Sequence, residues 1–139
     1  MTPDVPAHHT LLRPEGWPRP RGYANGVAAR GRVLFVSGQV GWDPVTERMV
    51  ETDFAGQTRQ ALENVLAVLR AGGAGPGHVT RLTWFVADLD AYRAARPVIG
   101  TTFRSLFAGH YPAMSVVQVA ALLDPGALVE IEATAVVPD

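Results

Sequence analysis

The sequence predicts an α/β domain of order ββ-α-β-α-ββ, one sheet backed by two helices. Three observations carry this. Apolar runs of strand length, broken by glycine or proline turns, lie between Tyr23 and Val40 and again between Met114 and Val136. From Asp53 the apolar spacing changes to the 3.6-residue helical period. A β-branched and aromatic run, "VTRLTWFV", then separates that helix from a second helical segment opening at Asp88. Two helices cover only one face of such a sheet. The other face, carrying Val36, Trp84 or their neighbours, needs its own cover, and self-association supplies one. With 139 residues, 47% of them apolar, the chain is one domain with enough material for a core.

Residues 1–22 form a proline-rich arm and residues 23–139 the domain. Five prolines fall in the first twenty residues. Each fixes φ and lacks an N–H, so the arm is expected to be extended rather than helical or sheet-forming, with Trp17 placed to pin it. Tyr23 to Ala29 reads as the first strand, Arg30-Gly31 as its turn, and Val33 to Val40 as the second. Val33, Leu34, Phe35 and Val36 make that second strand apolar on both faces, which suggests a central position. Gly38 allows close approach of another group, and "GWDPVTERMV" reads as a loop.

In the first helix Phe54, Ala61, Leu62, Val65, Leu66 and Leu69 share one face, with Gln57, Arg59, Glu63 and Arg70 on the other. Asp53 or Thr52 caps its start and Gly72-Gly73 ends it. Val79 to Val86 is a strand. In the second helical segment Pro97 should force a short first turn and a restart at Pro97, with Ile99, Phe103, Leu106 and Phe107 buried. Met114 to Ala121 and Leu128 to Val136 close the sheet across an Asp-Pro-Gly turn.

The composition excludes several functions. Net charge is −1 and every basic residue is a scattered Arg, so no nucleic-acid partner is expected. The absence of Cys removes disulfides, thiolate chemistry and Cys-ligated zinc. No signal peptide and no membrane-spanning run can be read, so a soluble, cytoplasmic protein is expected. His8, His9, His78 and His110 show no metal-ligand spacing, and "AGGAGPG" lacks the Lys-Ser/Thr of a phosphate loop. No metal and no cofactor are expected.

The segments "VLFVSGQVGWDP", "QALENV", "VTRLTWFVADLDAY", "YPAMSVVQVAAL" and "VEIEATAVV", in this order and spacing, resemble the RidA (YjgF) family. The resemblance runs from Tyr23 to Val137. It implies a chorismate-mutase-like α/β fold with a mixed sheet, assembled as a homotrimer with small-molecule clefts between subunits. It also implies cofactor-free hydrolysis of reactive imines or enamines to 2-keto acids and ammonia. Typical members read Pro-Ala-Arg-Ser at the last strand pair's entrance, where the Arg fork clamps a substrate carboxylate. Here Met114 replaces that Arg, Val116 a cysteine, and Gly100 an asparagine. Tyr23, Gly38, Ser115 and Glu130 are retained.

On these grounds Glu130 is the expected water-orienting base, against the alternative of a solvated or ion-paired strand residue. Tyr23 is a polar contact or a cover for the sheet end. Gly38, Ser115, Met114, Val116, Gly100 and His110 are the expected substrate-binding wall. Met114 by itself reads as a flexible apolar gap filler. Arg104, on the second helix, reads as solvent-facing, with substitution for the missing fork as the alternative. The leading functional expectation is an imine or enamine deaminase on an unidentified small molecule, with 2-iminobutanoate activity weak or absent. The alternatives are a non-enzymatic trimer that binds a small ligand or acts as a chaperone, and, less favoured, an endoribonuclease.

Overall fold

The computed structural model describes residues 9–50 and 53–139. Its centre is a four-stranded mixed sheet, formed by β3 (Arg32–Gln39), β6 (Val79–Val86), β7 (Ala113–Gln118) and β8 (Val129–Val137) in the order β3-β8-β6-β7. The β6–β7 pair is parallel, and β8 runs antiparallel to both β3 and β6. Helices α1 (Phe54–Ala71) and α2 (Leu89–Phe107) complete the α/β architecture. Two-residue strands β4 (Trp42–Asp43) and β5 (Arg48–Met49) pair inside the segment expected to be a plain loop.

Register explains the core. Leu82, Trp84 and Val86 of β6 lie beside Ala133, Ile131 and Val129 of β8, and all six are buried with α1 and α2. Glu130, Glu132, Thr83 and Phe85 alternate with them and therefore take the opposite, outer face. Val36 and Trp84 lie on the helix side, so neither belongs to the uncovered face. Their neighbours do: Phe35 is 80% exposed and Val33 48%.

Several expectations need correction. The apolar strand β3 is not central but an edge strand, paired only with β8 in the sheet; its second apolar face, Val33 and Phe35, is the uncovered outer one, so two apolar faces do not mean a central position. The arm does form sheet. In it, β1 (Thr10–Leu12) pairs with β2 (Gly26–Ala28), in a stretch free of proline. The expected first strand therefore shortens to β2 and pairs with the arm. Trp17 is 58% exposed, whereas His9 is buried and ties the arm to the sheet, its Nε2–H donating to the Val136 carbonyl at 3.0 Å.

Pro97 does not break α2, which runs unbroken through it. Loss of one N–H is tolerated where Ile99, Phe103 and Phe107 anchor the helix to the core. Asp88 caps it, accepting from the Asp90 and Ala91 amides. Asp53 caps α1 by accepting from Gly56; the alternative cap, Thr52, lies outside the described residues.

Gln57 is buried rather than on the polar face of α1. Its Nε2 donates to the Gly126 carbonyl at 2.9 Å, and its Oε1 accepts from the Leu128 amide at 2.7 Å. The polar side chain thus satisfies the backbone of the Asp-Pro-Gly turn leading into β8. Asn64 does the same for the Val40 and Trp42 carbonyls. Gly41 is required beside it, since a Cβ there would stand 2.8 Å from the Gln57 Cα. We predict that Gln57→Leu, which leaves two backbone groups unpaired, costs about 2–3 kcal/mol. Urea denaturation measures this, and an unchanged midpoint would refute it.

Candidate active site

The parallel register of β6 and β7 sets Met114 beside Leu82 and Val116 beside Trp84. Both therefore point to the helix side. There they line a cavity of about 390 Å³ with Tyr23 and Gly100. Its walls are aromatic. Phe103 stacks on Tyr111 at 5.6 Å between centroids, and Trp84 meets Tyr92 edge-on at 6.2 Å. Three arginines, Arg21, Arg96 and Arg104, also line it, and among the described residues no carboxylate does. At Gly100 an added Cβ would meet nothing within 4 Å, so the wall is open there.

Glu130, Gly38 and Ser115 lie elsewhere. Glu130 is paired with Phe85 in register, on the outer face. The β3 ladder is interrupted between Val36 and Gln39, and Gly38 sits in that bulge. A Cβ on Gly38 would come within 2.7 Å of the Glu130 Cδ. The group that Gly38 admits is therefore the Glu130 side chain itself. Ser115 stands beside Thr83 in register, exposed on the same outer face. Within one protomer, then, the expected site residues form two groups on opposite sides of the sheet.

His110 belongs to neither group. It is buried, and its Nε2–H donates to the Val79 carbonyl at 2.8 Å. It lines a second cavity of about 510 Å³ beside β1, which shares Tyr23 and Tyr111 with the first. Burial lowers its pKa; the Val79 hydrogen bond opposes this, and His9 and His78 add to the lowering. His78 is lowered too, by burial, then by His9 and Arg32. A histidine held below its ordinary value binds fewer protons folded than unfolded. Its stability contribution is thus present above about pH 6.5 and falls as pH drops below it. Thermal midpoints should decline from pH 7 to pH 5, and His110→Gln should flatten that decline. An unchanged slope would contradict this.

Among the described residues no group of three His, Cys, Asp or Glu is placed to hold a metal, and no helix is long and apolar enough to cross a membrane.

Arg104 is exposed, as the sequence suggests, and also lines the cavity; sequence reasoning missed Arg21, Arg96, Trp84, Tyr92, Phe103 and Tyr111 as cavity wall. A signal was available. Tyr92, Arg96, Gly100 and Arg104 recur every four residues and so share one stripe of α2.

The sequence profile of the Endoribonuclease L-PSP family matches residues 18–137. The chain belongs to this family, and solved structures named RidA and YjgF are similar to it. One relative, the 2-iminobutanoate/2-iminopropanoate deaminase of Salmonella typhimurium, is 38% identical over 117 residues, covering 82% of this chain and 86% of that protein. Protein DfrA of Myxococcus xanthus is 42% identical over 106 residues, covering 76% and 77%. A crystal structure of a Rid-family protein of unknown function, YyfB of Yersinia pestis, superposes with a TM-score of 0.82 at 34% identity. It covers 94% of this chain and 99% of that one. In this RidA-family member the position where the resemblance expects an Arg fork holds Met114, a thioether in the cavity wall.

Proposed function

We propose that the protein is an imine or enamine hydrolase releasing ammonia, acting in a cleft between subunits of a homotrimer. The observation that carries this is the split of the site. The cavity opens on the helix side, while the carboxylate and its glycine lie on an outer face rimmed by exposed Phe35 and Val33. Apposition of one protomer's outer face to another's cavity supplies both halves and buries the apolar rim. The deaminase name of the Salmonella relative supports the choice of reaction.

In the proposed step Glu130 accepts a proton as water attacks the C=N carbon. That proton passes to the former imine nitrogen, giving the carbinolamine; its hydroxyl proton is then relayed through Glu130 to the nitrogen as the C–N bond breaks, leaving the keto product and ammonia. Met114 and Gly100 favour a second reading, a cavity that binds a small apolar ligand without turnover.

The test is ammonia release from a panel of imino acids generated in situ by an amino-acid oxidase. The wild type should accelerate loss of at least one imine, and Glu130→Gln should reduce that by about a hundredfold or more. Ligand binding with no acceleration of any imine would select the second reading.

A further inference from the structure

The geometry points to a carboxylate clamp on α2, made by Arg96 and Arg104, that selects aromatic 2-imino acids and their 2-keto acid products. This rests on the cavity being the substrate site. The two arginines stand four residues on either side of Gly100, on one stripe of the helix, about 12 Å apart along its axis. Gly100 contributes no side chain between them, and the space beside it is open.

Within the protomer these charges have no ion-pair partner among the described residues. Among the described residues only Arg59 and Arg93 form ion pairs with carboxylates, with Glu63 and Asp90. Arg96, Arg104 and the nearby Arg21 line a cavity to which the protomer's described residues contribute no carboxylate. Cations grouped in a cleft with low-dielectric walls concentrate anions, and the planar guanidinium fits a carboxylate with two parallel hydrogen bonds.

The remainder of the cavity specifies what the carboxylate is attached to. Trp84, Tyr92, Phe103 and Tyr111 offer flat apolar walls suited to a ring. Met114 and Val116 leave more room than a short aliphatic imino acid fills.

Calorimetry with three probes tests this: phenylpyruvate, phenylacetone, which lacks the carboxylate, and 2-oxobutanoate, which lacks the ring. Phenylpyruvate should bind at least about tenfold more tightly than either. Arg96→Gln with Arg104→Gln, both at exposed positions, should weaken phenylpyruvate about tenfold or more and leave phenylacetone unchanged. Equal binding of phenylpyruvate and phenylacetone, or full affinity in the double variant, would overturn the clamp. Binding needs no turnover, so a failed ammonia assay would remove the hydrolase reading alone, and a failed calorimetric comparison the clamp alone.

Discussion

Met114→Arg is expected to raise turnover of 2-iminobutanoate by about tenfold to a hundredfold over a weak wild-type rate. A charge-assisted hydrogen bond is worth about 1.5–3 kcal/mol, and its full expression in the transition state gives that range. Met114 lies in the cavity wall beside Leu82 in register, so a guanidinium there enters the same cavity. Three arginines already present will offset part of the gain by repulsion. Adding Glu130→Ala should abolish the recovered rate. Robust wild-type turnover of 2-iminobutanoate would show instead that the α2 arginines already hold small carboxylates, and that Met114 costs nothing.

Phe35→Glu should dissociate the proposed trimer. Phe35 is 80% exposed in the protomer, with Val33 and Val117 also exposed on the outer face. Burying a phenylalanine contributes about 1.5–3 kcal/mol, and a carboxylate in its place adds a desolvation cost in every subunit. Sedimentation equilibrium should find three chains in the wild type and one in the variant, with imine hydrolysis lost on dissociation. A monomeric wild type would remove the intersubunit site altogether.

The extent to which the fold was legible follows from how each signal arises. Periodicity located α1, β6 and the buried stripe of α2, because burial on one face is what creates the period. It failed at Gln57, whose polarity serves a turn sixty-nine residues away. Nothing local announces such a partner. Pro97 misled for a related reason: a local rule disfavours it in a helix, while tertiary packing of Ile99, Phe103 and Phe107 decides the outcome. The apolar run of β3 was read as central burial, yet one of its faces is left uncovered in the protomer.

The site was legible in part. Tyr23, Gly100, Met114 and Val116 came from resemblance and meet in one cavity. That Glu130 occupies the opposite face follows from strand parity, since Trp84 pairs with Ile131 and Phe85 with Glu130. Parity could be counted only once the register between β6 and β8 was known. The arginine stripe of α2 was visible in the spacing but had no meaning until β7 was placed against it.

The claim that one site draws on two protomers is tested most directly by mixing two inactive chains. Glu130→Ala leaves the cavity intact, and Gly100→Trp fills it where the structure leaves space for a side chain. Refolded together in equal amounts, they should recover about a quarter of the wild-type rate on the imine that the wild type turns over fastest. Random assembly of a ring with head-to-tail interfaces gives that fraction of sites with both halves intact. A mixture as inactive as either variant alone would place the whole site within a single chain and contradict the account.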